Sequence, residues 1–224
     1  MTFSLRINRQ QYGGQTLLHD IKEDYAEGMI HGFLGENGAG KTTLFRCMAG
    51  QLKFEGELTF PRQIRVGWLP AELYMYPMIT GWEFLQFYVK AREMRFDAAY
   101  TKRLNEAFEL PLDTYAETYS TGMLKKLYLM GLLLQGNEVM LLDEPFNGLD
   151  FRSSAFVTAL LGAYRQKGCT FFVASHDVDH LLSFVDTLSW LRRGSLTFYA
   201  NRDRFDEVRQ AIRSEAVEQV RRWL

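Results

Sequence analysis

Residues 35–43 read GENGAGKTT and follow directly on the apolar run MIHGFL. Gly35, Gly40, Lys41 and Thr42 satisfy G-x-x-x-x-G-K-[ST], which ordinary residue frequencies produce by chance in very roughly one chain of this size in a hundred. No other stretch restricts the fold as much, because its chemistry needs a strand before it and a helix after it. The glycines let backbone N–H groups converge on phosphate oxygens. The helix N-terminus adds about half a positive charge. Lys41 is placed to reach β- and γ-phosphates, and the Thr42 hydroxyl to face Mg²⁺. The phosphate-holding set is therefore Gly35, Asn37, Gly38, Ala39, Gly40, Lys41, Thr42 and Thr43.

The neighbouring patterns supply the strand and the helix. MIHGFLG predicts a buried strand, and TTLFRCMAG a helix stopped by Gly50. FSLRINRQQY alternates and predicts a solvent-edged strand; FEGELTF and IRVGWLP predict two short strands, the second closed by Pro70. Thr80 and Glu83 form a capping-box pattern for a helix through about Arg95. DAAYTKRLNEAFEL and STGMLKKLYLMGLLLQG predict two more helices. EVMLLDEP and CTFFVASHD read as apolar strands on either side of a helix, FRSSAFVTALLGAYRQKG. TLSWLRRGSLTFYA reads as a hairpin around Arg193-Gly194, and residues 203–224 as a charged amphipathic helix. The expected class is α/β: a P-loop NTPase with a mostly parallel sheet covered by helices, an antiparallel β portion and an inserted helical lobe. One domain is expected over 1–224, with residues 1–70 and 136–224 as the nucleotide-binding core and 71–135 as the lobe.

Composition removes several function classes. The 224 residues are 47% hydrophobic and 24% charged, with a net charge of -1 that offers no footprint for nucleic acid. Cys47 and Cys169 form no metal-ligand spacing and no disulfide framework, which fits a reducing compartment, and both fall in apolar stretches. No run approaches the roughly 18 apolar residues of a membrane span. The start, MTFSLRINRQ, lacks a signal-peptide core. A cytosolic location is expected.

VMLLDEP (139–145) completes the chemistry. An acid at the carboxyl end of an apolar strand lies near a phosphate loop in such a sheet. Asp143 is placed to hold Mg²⁺, and Glu144, pointing elsewhere, to orient and deprotonate an attacking water.

GENGAGKTT, YSTGMLKKL, LLDEPFNGLD and VASHD, in this order and spacing, resemble the nucleotide-binding domain of an ATP-binding cassette (ABC) protein. The resemblance runs from Tyr12 to about residue 200 and implies ATP with Mg²⁺. By position, Tyr12 matches the aromatic that stacks on adenine. Ser120 and Gly122 match the signature motif that grips the γ-phosphate of ATP on the opposite subunit. Asp150 matches the interface aspartate of the D-loop, and His176 the switch histidine that contacts the γ-phosphate. Two chains are then expected to close head-to-tail around two ATPs, as a homodimer or with a related ATPase, with Lys41, Glu144 and His176 as the catalytic set. A single chain should hydrolyse ATP poorly.

Two departures stand out. The family usually has glutamine right after the proline of VGWLP, where this chain has Ala71 and then Glu72, so slow or tightly coupled hydrolysis is expected. Thr121 replaces a signature glycine, which narrows backbone freedom but keeps the serine.

The lobe is where transporter ATPases of this family meet their membrane subunit. Here ELYMYPMITGWEFLQFY packs two methionines and six aromatics into 17 residues. Trp82, Phe84, Leu85 and Tyr88 have helical spacing and are expected mainly in packing. Tyr74, Met75, Tyr76 and Pro77 precede the helix and are better contact candidates. YPMITGWEFLQF also resembles a stretch seen in ABC-2-type exporter ATPases. The leading expectation is thus the ATPase subunit of an exporter, peripheral on the inner face of the membrane, with a separate integral membrane permease as partner. A soluble ABC ATPase of translation or DNA repair is the alternative; a simple kinase or phosphate-binding module leaves the signature and SHD unexplained.

Overall fold

The computed structural model describes residues 2–60 and 62–223. Six strands form the main sheet: β3 (Ile30–Leu34), β5 (Val66–Leu69), β6 (Val139–Asp143), β7 (Thr170–Ser175), β8 (Thr187–Arg192) and β9 (Ser195–Tyr199). Their order is β5-β6-β7-β3-β8-β9, parallel except for β9, which turns back on β8 in the expected hairpin. A second, antiparallel sheet has the order β2-β1-β4, from β1 (Thr2–Tyr12), β2 (Gln15–Ala26) and β4 (Glu55–Thr59). The expected α/β class, with its antiparallel portion, is present.

The strand sequences explain this layering. IHGFL, VMLLD and TFFVAS are buried at every residue, as befits parallel strands covered on both faces. One face packs on the antiparallel sheet and α1 (Lys41–Met48), through Phe3, Leu5, Ile7, Phe33, Phe45 and Phe172. The other face packs on α4 (Thr121–Leu134), α5 (Phe151–Gln166) and α6 (Val178–Phe184). The same buried cluster runs on into α2 (Gly81–Lys90) and α3 (Ala98–Phe108), through Phe84, Leu85 and Phe108. α7 (Phe205–Trp223) rests on this face by Phe205 and Val208.

Three local expectations are corrected. β1 is the central strand of its sheet rather than an edge, because β4 pairs with its free side. α2 has the capping box, with Thr80 and Glu83 bonded reciprocally, yet ends at Lys90 instead of near Arg95. The chain turns there, with Glu93 in the left-handed region (φ 57°). Cys47 is buried as expected, but Cys169 is only partly so.

His31 lies inside β3 among aromatic rings. Its Nε2–H donates to the Ala26 carbonyl and its Nδ1 accepts from the Thr187 hydroxyl, both at 2.8 Å. Burial pushes this imidazole down to about 4. The unfolded chain therefore takes up the proton first as pH falls through about 6.5. The neutral side chain stabilises the fold fully above that pH, and about 2 kcal/mol should be lost by pH 5. Denaturant unfolding at pH 7 and pH 5 checks this: His31→Gln should lose less stability over that interval than the native chain, and equal losses would remove His31 as the cause.

Candidate active site

The parallel register brings the functional residues to one level. Leu34 of β3 pairs with Ser175 of β7, and Asp143 of β6 with Ala174, so Gly35, Glu144 and His176 all emerge at the carboxyl edge of the sheet. β7 lies between the strand carrying the phosphate loop and the strand carrying the acids. His176, the first residue past β7, thus stands between them.

The phosphate loop bends around Gly40, the N-cap of α1, whose backbone is left-handed (φ 105°). No side chain caps this helix and no acid occupies its first turn, so its leading N–H groups stay open to an anion. At Gly35, a Cβ would come within 2.9 Å of the Leu191 carbonyl oxygen, so the loop can pass β8 only as glycine. Lys41 is buried. Its Nζ donates to the carbonyls of Gly35 (2.6 Å) and Glu36 (3.2 Å) and lies 3.2 Å from Glu144 Oε1.

Asp143 is fully buried, and neither carboxylate oxygen has a hydrogen-bond partner among the described residues. Burial pushes its carboxyl up, with the nearby Thr42 hydroxyl the chief opposing influence. An orphaned carboxylate facing a hydroxyl suits a small hard cation held by few protein ligands, as Mg²⁺ is. No group of three His, Cys, Asp or Glu side chains placed to hold a metal ion occurs among the described residues.

Glu144 is held at five points. Its backbone is left-handed (φ 49°), its N–H donates to the Ala174 carbonyl (3.0 Å), and its own carbonyl accepts from Lys125 Nζ (2.5 Å) and from the Asn147 N–H (3.3 Å). Its carboxylate meets His176 Nδ1 through Oε2 (3.0 Å) and Lys41 through Oε1. Lys41 and His176 therefore meet on Glu144, the residue that follows Asp143 at the end of β6. Lys125 is the addition. It is 4% exposed, and burial pushes its ammonium down to about 8 while the charges of Glu144 and Asp143 hold it up. Its signal in the sequence is a lysine one turn before Leu129, in a stripe that is otherwise apolar and buried.

The remaining residues form a separate group. Ser120 caps α4 and accepts from the Met123 N–H (3.2 Å), which leaves its own hydroxyl hydrogen free to donate. Gly122 faces Leu149 and Gly148 closely. Asp150 caps α5 by accepting from the Ser153 N–H (2.6 Å), a bond that keeps its carboxyl below the usual range. No hydrogen bond or ion pair among the described residues joins this group to the phosphate loop. Tyr12 ends β1 at the tip of the β1–β2 hairpin with its ring 76% exposed, and Leu18 of β2 packs at Gly40. Ala71 is half-buried, and Glu72 is exposed with no hydrogen-bond or ion-pair partner among the described residues.

The family model described as ABC transporter matches residues 18–147, more than half of the chain. The chain belongs to the ABC transporter family. As a member it is an ATP-binding, ATP-hydrolysing cassette. It is 31% identical to the zinc import ATP-binding protein ZnuC of Halorhodospira halophila, over 83% of this chain and 72% of that protein. It is 30% identical to the uncharacterized ABC transporter ATP-binding protein YhcH of Bacillus subtilis, over 82% of this chain and 64% of that protein. Its fold matches a solved ATP-binding subunit of an ABC transporter at a TM-score of 0.82, with 20% identity and 93% of each chain covered.

Proposed function

We propose that this chain is the ATPase subunit of an exporter, acting as a head-to-tail pair on a separate integral membrane protein at the inner face of the membrane. The observation that carries the pairing is the division of the site. The phosphate loop, Glu144 and His176 come together beside Asp143, whereas Ser120, Gly122 and Asp150 stand apart, with the Ser120 hydroxyl hydrogen free to donate. Phe151, beside Asp150, is 90% exposed, an apolar ring suited to an interface.

Within one half-site, Lys41 must leave Glu144 to engage the phosphates, which frees the carboxylate to take a proton from water. His176 keeps that carboxylate aimed and turns toward the γ-phosphate. Tyr12 stacks on adenine. Thr42 and Asp143 would hold Mg²⁺, which when bound neutralises charge on the phosphate oxygens. Ser120 and Gly122 of the second copy close over the γ-phosphate.

The membrane partner fits an exposed aromatic patch. Tyr74, Tyr76, Met78 and Phe87 are exposed, and the Tyr76 ring meets both Tyr74 and Phe87 edge-on. Membership of this patch differs from the expectation: Met75 packs on the core, while Met78 and Phe87 join. Phe84 and Leu85 are buried, and Trp82 packs on Phe96 at 5.3 Å.

Outward transport rests on Tyr76 and Pro77 in the exporter-like stretch, since Thr80 and Glu83 are accounted for by the capping box. Import is the second reading, favoured by the ZnuC relative. One experiment tests the assignment: purify the tagged chain from mild-detergent extracts of native membranes. An integral membrane protein in fixed stoichiometry supports it and supplies the partner whose ATP-driven flux in vesicles gives direction. A chain that stays alone with its ATPase intact replaces it with a soluble ABC ATPase.

A further inference from the structure

We infer that Lys125 is a positioning residue that ties the signature end of α4 to the catalytic carboxylate of the same chain. The inference rests on the reading of Glu144 as the base.

Two contacts carry it. The first is the bond from Lys125 Nζ to the Glu144 carbonyl, which with the Ala174 bond fixes both sides of a left-handed, non-glycine residue. Such a backbone persists only where its surroundings hold it. The second is the seating of the start of α4 on residues just past Glu144. A Cβ on Gly122 would touch Leu149 (3.2 Å), and the Thr121 methyl lies 3.0 Å from where a Cβ on Gly148 would stand. The segment from Glu144 to Leu149 is therefore gripped by α4 at both ends. Ser120 lies five residues before Lys125, about 7.5 Å along the helix axis. A tilt of α4 that brings Ser120 onto the ATP of the opposite subunit must also move the Glu144 carbonyl. Completion of one site is thereby transmitted to the base of the other.

A buried lysine with no part in phosphate binding has no other evident task here. The other polar contacts of Glu144 are to Ala174 of the sheet, to the Asn147 N–H of the turn that follows it (3.3 Å, on the same carbonyl), and to Lys41 and His176 of the site.

The test compares Lys125→Met, which removes the donor, with Lys125→Arg, which keeps one, and Glu144→Gln, in the full chain with ATP and Mg²⁺. Lys125→Met should lower kcat by roughly 30- to 100-fold, as misplacement of a reacting group does. ATP affinity from nucleotide titration should stay within about threefold, and Lys125→Arg should recover most of the rate. In the Glu144→Gln background, Lys125→Met should cause no further loss in single-turnover rate. A Lys125→Met chain with near-native kcat overturns the inference, as does an undiminished loss when Glu144 is already glutamine. If the methionine variant fails to fold, Lys125→Gln, which falls short of the Glu144 carbonyl, takes its place. Failure of both to fold while arginine folds makes the residue a support of the fold and overturns the inference too. An active Glu144→Gln enzyme instead removes the base reading itself.

Discussion

Glu144→Gln is expected to lower ATP turnover by about 10²- to 10⁴-fold, the range for a lost general base, while leaving ATP binding intact or tighter. Glutamine has the same shape: its oxygen can stand beside Lys41, its amide N–H can donate to a neutral His176 Nδ1, and the backbone bonds of residue 144 are untouched, so the hold on this residue is largely preserved. What it cannot do is take a proton. In the native chain the Glu144 carboxylate also holds the Lys41 ammonium at 3.2 Å, in competition with incoming phosphate. Removing that charge frees Lys41 and relieves repulsion of the nucleotide. Phosphate release and nucleotide titration on one preparation check both halves. Turnover within threefold of native would displace Glu144 as the base, and lost binding would mean the substitution had damaged the phosphate loop. ATP should also hold this variant as a stable pair in size-exclusion chromatography, because the step that separates the pair is blocked.

Lys41→Met should weaken ATP binding by about 10- to 100-fold, the worth of charge-assisted hydrogen bonds to an anion. The methionine fills the same space, so the open N-terminus of α1 remains and some binding survives. Part of the loss comes from Glu144, whose carboxylate then faces the nucleotide without its counter-ion. The double variant Lys41→Met/Glu144→Gln should accordingly bind ATP better than Lys41→Met alone. Nucleotide titration of the three variants decides it: unchanged affinity in Lys41→Met would end the phosphate role, and equal affinity in single and double variants would end the competition between Lys41 and Glu144.

Much of the fold was legible because it is encoded by adjacent residues. Continuous apolar runs marked β3, β6 and β7, and Thr80 with Glu83 marked the start of α2. β2 had no such signature. Its buried residues Leu18, Ile21 and Tyr25 follow a helical spacing, because Asp20 is left-handed (φ 53°) and switches the inward face midway. α6 is short and lies between two strands, with little room for periodicity to show. The site was legible where a motif names its own backbone, as at Gly40 and Ser120. Lys125 was not, since a lysine pair in a helix looks like an exposed face until its burial is known.

The sequence by itself determined that this chain has a phosphate loop between a strand and a helix, two acids at a strand end and a serine-capped helix, each a property of a few consecutive residues. Tertiary structure alone decided that β7 lies between β3 and β6, that Lys41, His176 and Lys125 all converge on Glu144, and that Ser120 stands apart from them. These depend on parallel register and on helices packed across the sheet. Such contacts join residues far apart along the chain, whose partners no local pattern can specify.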